Sequence, residues 1–406
     1  MIHKKSTYLL AVCCLLLLSF VLKPQEKTIE LISSEKQFTA GESIILQFKT
    51  EKKELQLVIT TAWGTQVLKP VSHNIENQLD FKLINGINQT AGVLNWTLVE
   101  KPKVLLKGSL TIVADTAQVS KIESYLGPQR IVAGGKDYAQ LTLLPTDHYD
   151  NPLPNETLIN LNTAFETDQN SQKKNVEHFI SWENIYSTIK SGRIFTAANK
   201  GEVTSKLQTI YVDANLATPF KIRYTRPNNY ADSDQITTFN TDVIKDQYSN
   251  VIPDATLVNF VVKTSTGEVL QASGNTINGS AEIQIQHPAT PQNWKVTAYI
   301  TGIAQSDSVS VTYNPAITEI PAVWDSKKRI LKVGPLNGML GQKLPEGTVV
   351  TLTVINSSSS EKVLSKKTES GAVSFELKKD FYPAGDYSLK IEVLGVENYL
   401  ESVKLQ

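Results

Sequence analysis

Along most of this chain apolar and polar residues alternate one for one. Leu55-Gln56-Leu57-Val58-Ile59, Trp294-Lys295-Val296-Thr297-Ala298 and Val309-Ser310-Val311-Thr312-Tyr313 are examples, and further runs cover Ile44 to Phe48, Leu79 to Leu83, Val93 to Val99, Gly108 to Val113, Ile330 to Val333, Thr348 to Val354, Val373 to Leu377 and Tyr387 to Val393. A period of two places every second side chain on the same face, which predicts β-strands with one side buried. Gly and Pro punctuate the runs, as in Ala40-Gly41-Glu42 and Pro383-Ala384-Gly385-Asp386, and mark the turns between strands.

One turn is spelled twice. Asp147, Tyr149, Asn151, Pro154, Thr157, Leu158 and Asn160 return as Asp246, Tyr248, Asn250, Pro253, Thr256, Leu257 and Asn259, each pair 99 residues apart (246 − 147). A gapless repeat at that spacing means a tandem of like modules, each about a domain long. The predicted fold class is all-β, tandem immunoglobulin-like β-sandwiches after an N-terminal hydrophobic helix. The predicted division is a signal peptide or signal anchor at 1–26, then sandwiches at 27–114, 115–226, 227–313 and 314–406. No Pro-rich or Ser-rich linker separates them, so the modules are expected to abut.

The stretch Lys245-Asp246-Gln247-Tyr248-Ser249-Asn250-Val251-Ile252-Pro253-Asp254, followed by Val258-Asn259-Phe260-Val261-Val262, resembles the bacterial immunoglobulin-like repeat of the invasin and intimin type. There an Asp-x-Tyr-Gly-Asn-Pro-Val-Pro stretch precedes a Val-x-Phe strand. Asp150 and Ser249 stand where that pattern has Gly, a residue that accommodates positive φ. The opening module, with Ala-Gly-Glu ahead of a strand and Gly92-Val93-Leu94-Asn95-Trp96, more loosely resembles macroglobulin-type sandwich modules. The resemblance implies a cell-envelope adhesin or scaffold.

The N-terminus bears on compartment. Lys4-Lys5 precede an apolar run from Tyr8 to Leu22, the layout of a secretory signal. Counted from Ser6 to Leu22 the segment just suffices to span a bilayer, so a membrane anchor and a cleaved signal are both expected readings. Cys13 and Cys14, the only two cysteines, lie inside this run. The exported region therefore has no disulfide, no thiolate metal site and no thioester chemistry.

Composition removes other classes. Forty basic and forty acidic residues cancel, and no Lys/Arg cluster offers phosphate neutralisation, so nucleic acid is not an expected partner. No nucleophile elbow, phosphate loop or His-Glu-x-x-His pair occurs, and His73, His148, His178 and His287 are scattered over separate modules. No enzyme activity, cofactor or metal is expected. The repeated Asp147, Tyr149, Asn151, Pro154 and Asp246, Tyr248, Asn250, Pro253 read as a structural turn, with Asx side chains bonding the local backbone. Calcium at Asp147, Asp150 and Asn151 is disfavoured, because the third module has Ser249 in place of the second carboxylate.

Between Asn162 and Gly201 the second module is expected to carry extra chain. Val176, Phe179, Ile180, Ile185 and Ile189 fall near helical spacing, suggesting a short helix or an added hairpin. Phe179, Trp182 and Tyr186 are its candidate ligand contacts. The five tryptophans are expected to supply one core residue per sandwich, Trp182 excepted. The functional expectation is a non-enzymatic exported scaffold or adhesin that recognises a protein or surface polysaccharide through sandwich-end loops. The alternative is a periplasmic accessory subunit of a secretion or surface-assembly machine that binds proteins by edge-strand contacts.

Overall fold

The computed structural model describes residues 29–71, 75–356 and 360–406. The expected N-terminal helix at Ser6 to Leu22 lies outside them. Among the described residues no helix is long and apolar enough to cross a membrane. Regular structure there is β throughout, built as tandem immunoglobulin-like sandwiches.

The chain divides into two compact units. The first comprises residues through Gln129 with Ala139–Ile185 and Arg193–Ile210, and the second comprises Arg130–Tyr138, Tyr186–Gly192 and Tyr211–Gln406.

In the first unit, Ile45–Lys49 lies between Glu30–Leu31 and Gln78–Lys82, facing a five-stranded sheet in the order Gln37–Thr39, Lys103–Val113, Gly92–Glu100, Gln56–Thr61, Gly64–Leu68. Phe48, Leu57, Phe81 and Leu98 are fully buried between these sheets, and Phe48 meets Trp96 edge-on at 5.4 Å. The alternation explains this: in Ile45–Lys49, Leu46 and Phe48 point inward while Ile45 and Lys49 are exposed. The next three-stranded sheet sets Tyr138–Asp147 between Val119–Gly127 and Ser181–Tyr186.

In the second unit, Ile236–Thr241 lies between Ile222–Thr225 and Glu282–Gln286, opposite a sheet containing Leu257–Thr264, Val269–Asn275, Gln292–Ile300 and Val309–Pro315. Its core holds Phe239, Phe260 and Trp294, with Trp294 against Tyr313 at 4.6 Å. The last pair of sheets buries Leu331, Leu352, Phe375, Leu389 and Ile391.

Three expectations need correction. The Asn162 to Gly201 stretch is neither helix nor insertion. It forms the end of Leu158–Phe165 and then Asp168–Asn175, Ser181–Tyr186 and Gly192–Lys200, and each strand has a counterpart in Leu257–Thr264, Val269–Asn275, Glu282–Gln286 and Gln292–Ile300. The apparent helical spacing arose because Val176 closes one strand end and Ile185 points inward from another, while Phe179, Ile180 and Ile189 are exposed. The junction placed at 226/227 is late: Ile222–Thr225 already pairs with Ile236–Thr241, and the preceding strand ends at Asp213. Finally, only Trp96 and Trp294 are buried core tryptophans, whereas Trp63 is 83% exposed.

Candidate functional site

The repeated turn does more than close on itself. Within the turn, the Asp147 amide donates to Asn151 O (3.0 Å), and Asp147 Oδ1 accepts from the amides of Tyr149 (2.8 Å) and Asn151 (3.0 Å). That is the expected Asx geometry. Asp150 takes φ 61° and Ser249 φ 69°, the positive values that the departures from Gly at these positions put in question.

The remaining valences reach the preceding module. Asn151 Nδ2 donates to Gln89 O (2.7 Å) and to Asp147 Oδ2 (3.0 Å), while Asn151 Oδ1 accepts from the Ala91 amide (2.8 Å). Asp147 Oδ2 also accepts from the amide of Asp115 (3.0 Å), where the chain crosses from one module to the next. Asp147 is fully buried and Asn151 nearly so. The carboxylate thus accepts four hydrogen bonds and the amide side chain makes three, which is how buried polar groups avoid a desolvation penalty. Tyr149 completes the contact: a Cβ added at Gly41 would fall 2.5 Å from its hydroxyl and 2.7 Å from its ring, so the hydroxyl end of the ring abuts a position that tolerates only glycine.

Bond for bond, the same arrangement recurs at Asp246. Its Oδ1 accepts from the Tyr248 (2.8 Å) and Asn250 (2.9 Å) amides, and its Oδ2 from the Asn215 amide (2.7 Å) and Asn250 Nδ2 (2.9 Å). Asn250 Nδ2 donates to Ile189 O (2.9 Å), and Asn250 Oδ1 accepts from the Ser191 amide (2.8 Å). Tyr248 lies over Gly134, where a Cβ would come within 3.2 Å of its ring. Burial pushes the Asp246 carboxyl up, but the bonds from Asn250, Asn215 and Tyr248 outweigh it and hold the group below the usual Asp range. Pro154 and Pro253 sit just beyond the clasp. Pro253 O accepts from the Thr256 (2.7 Å) and Thr276 (2.8 Å) hydroxyls and anchors the start of the following strand.

The turn was legible as a turn, but its second role was not. The acceptors and donors on the receiving side are main-chain groups 31 to 62 positions away in sequence, and they leave no residue signature.

Phe179, Trp182 and Tyr186 do not form one cluster at a module end. Phe179 occupies a tight turn at φ 75°, while Trp182 and Tyr186 project from the outer face of a strand. The Tyr186 ring packs on Tyr138 at 5.4 Å. Trp182 belongs to a row that the sequence did not suggest. Gln140 Nε2 donates to Asn184 Oδ1 (3.2 Å) across the adjacent strands Tyr138–Asp147 and Ser181–Tyr186, and on the other side Thr142 pairs with Tyr125. Trp182 (52% exposed) and Tyr125 (61% exposed) thus stand on the two outer strands of one three-stranded sheet, on either side of the strand that carries Thr142. The charges beside them are mutually satisfied: Tyr125 OH donates to Glu123 (2.7 Å), which pairs with Lys121. In the next module the corresponding row is Glu282, Asn240 and Arg223, with no ring. Among the described residues no group of three or more His, Cys, Asp or Glu side chains converges as metal ligands.

No family model matches the chain, and no curated protein matches it. Among solved structures it is similar to the Escherichia coli adhesin FdeC (14% identity, 71% of this chain and 96% of that one, TM-score 0.45). It is also similar to invasin, described as a bacterial integrin-binding protein (11% identity, 92% of this chain and 79% of that one, TM-score 0.46). A third likeness is to native E. coli alpha-2-macroglobulin (12% identity, TM-score 0.23), in which 93% of this chain matches 28% of that one. The chain is thus similar to bacterial tandem immunoglobulin-like adhesins and to macroglobulin modules.

Proposed function

We propose that this chain is a non-enzymatic, exported cell-envelope protein, a multi-module scaffold or adhesin that carries its binding surface on a sheet face of the second module. The single observation that supports this reading is the division of labour between loops and faces. At the first two junctions the end loops that were expected to recognise partners are occupied: Gln89, Ala91, Ile189 and Ser191 are bonded to the next module's turn. What stays open in the second module is the row of Trp182, Thr142 and Tyr125, with the Gln140 and Asn184 amides alongside.

Exposed rings beside neutral amides suit a neutral polysaccharide. Sugar C–H faces stack on aromatic rings, and hydroxyls pair with amide groups, without calling on any unpaired charge. Retention of the protein in native gels cast with soluble neutral polysaccharides tests this. Trp182→Ala should weaken retention at least about tenfold, as expected for an aromatic anchor. Unchanged retention, or binding only to protein partners, would remove the saccharide reading. Protease accessibility on intact cells tests export and surface display separately.

One observation favours the edge-strand alternative. The strands Lys103–Val113, Gln208–Asp213 and Val309–Pro315 are each flanked by a short parallel strand, whereas Val396–Leu405 pairs with Gly385–Val393 alone among the described residues. Its outer edge has the form that strand addition uses. A crosslink from this strand to an envelope partner would support that reading.

A further inference from the structure

The fourth module folds the same turn without the clasp. The Gly338 amide donates to Gln342 O (2.7 Å), the Gly341 amide to Gly338 O (2.9 Å), and the Leu344 amide to Leu336 O (3.1 Å). These match Asp147 to Asn151 (3.0 Å), Asp150 to Asp147 (3.2 Å) and Leu153 to Pro145 (3.0 Å). Gly341, at φ 80°, takes the place of Asp150 and Ser249. On this correspondence Gly338 stands for the clasp aspartate, Leu340 for the tyrosine and Gln342 for the asparagine. Leu340 is 70% exposed, against 38% for Tyr149 and 37% for Tyr248, so it covers less of its surroundings than either tyrosine.

The receiving side has changed in step. Ala40, Ala133 and Ala231 are all buried, but the residue that follows is Gly41, Gly134 and then Asp232. The Asp232 carboxylate accepts from the Asp234 and Gln235 amides of its own loop, and the glycine that the tyrosine ring meets at the other junctions is gone. Ala91, Ser191 and Pro291 each precede a buried strand residue (Leu94, Ile194, Trp294) by three positions. Pro291 has no amide hydrogen, so the donor that met Asn151 and Asn250 does not exist there. Loss of the aspartate, tyrosine and asparagine on one side coincides with loss of the glycine and the N–H on the other.

One main-chain bond remains where the chain crosses, from the Met339 amide to Ala316 O (3.0 Å), and the rest of what meets at this junction is shape. A Cβ at Gly395, in the turn of the final hairpin, would fall 2.8 Å from Pro291 Cδ, and Tyr230 packs against the fourth module's core. Apolar contact of this kind is non-directional and lets surfaces slide, whereas hydrogen bonds fix an orientation. Relative motion is the ordinary state of neighbouring domains unless something specific prevents it.

We infer that the Asp-x-Tyr-x-Asn turn and the Ala-Gly rim ahead of it are the two halves of one intermodule recognition code. The chain uses the code at its first two junctions and has lost both halves at the third, so the fourth module rides on a compliant joint. This inference is independent of any ligand.

Pulsed electron spin distance measurements on the full chain, with Cys13 and Cys14 replaced by Ser, test it. One label pair at Val67→Cys and Leu158→Cys brackets the first junction, and another at Leu257→Cys and Val349→Cys brackets the third. The third-junction distribution is expected to be at least roughly twice as wide as the first. Asn151→Ala should broaden the first. The combination of Asp232→Gly, Pro291→Ser, Gly338→Asp, Leu340→Tyr and Gln342→Asn should narrow the third. Equal widths in the unaltered junctions would overturn the inference even if the five-fold variant failed to fold. A folded five-fold variant whose third distribution stayed broad would overturn it as well.

Discussion

Asn151→Ala isolates the contribution of the clasp. The substitution removes two hydrogen bonds that cross the junction, to Gln89 O and from the Ala91 amide, together with the bond to Asp147 Oδ2 inside the turn. Each neutral bond is worth about 1 kcal/mol net, so the junction itself should weaken by about 2 kcal/mol. That corresponds to a rise of roughly thirty-fold in the open population. The internal bond to a carboxylate adds about 1.5 to 3 kcal/mol, lost from the turn rather than from the interface. Hydrogen exchange resolved at single amides is the appropriate assay, because the Ala91 amide is protected only while the junction is closed. Its exchange should accelerate roughly thirty-fold. The amide of Leu57, in the middle of a sheet of the same module, should exchange at its original rate. If Ala91 keeps its protection in the variant, the asparagine is not what holds the junction, and the recognition code fails with it. If Leu57 and Ala91 accelerate together, the module has been destabilised as a whole and the energetic assignment is wrong.

Two further outcomes follow from the same geometry. Gly41→Ala should loosen the first junction by about 1 to 3 kcal/mol, since its φ of 90° is strained for alanine and the new methyl collides with Tyr149; faster Ala91 exchange would register it, and unchanged exchange would refute the role of that contact. Asp246 has a folded-state pKa below its unfolded value, so its contribution is fully present above about pH 4 and is lost as pH falls through the lower folded value. Exchange at the Asn215 amide, measured relative to intrinsic rates, should therefore be flat from pH 8 to about 5 and rise on acidification, and Asp246→Asn should abolish that rise.

Much of the architecture could be read from the chain because β-sandwiches write their inward faces directly into the sequence. Leu46 and Phe48, or Val258, Phe260 and Val262, are buried at every second position as the alternation requires. The doubled phrase likewise located two equivalent turns and their positive-φ residues. The region around Val176 to Ile189 misled because two buried residues, Val176 and Ile185, and three exposed apolar residues in turns, Phe179, Ile180 and Ile189, fall near helical spacing when the chain is read as one segment. The row of Trp182, Thr142 and Tyr125 could not be found from sequence, because it depends on the pairing of three strands whose members lie up to 57 residues apart (182 − 125). The clasp was half visible: Asp147 and Asn151 were evident as Asx residues, but nothing local says that a side chain has valences left over for a neighbour. The informative signal was a difference between copies, with Pro291 and Gln342 replacing members of one bonded pair.

The groups that receive each turn are Gln89 O, Ala91 N and Asp115 N at one junction and Ile189 O, Ser191 N and Asn215 N at the next. Every one belongs to the peptide backbone, and the side chain attached to each differs between the two junctions. A surface recognised in this way is free to drift in sequence without losing its fit, so long as no proline arrives and the glycine stays. A duplicated module is therefore compatible with its neighbours from the moment it appears, which gives such arrays a simple physical route to growing longer by unequal exchange.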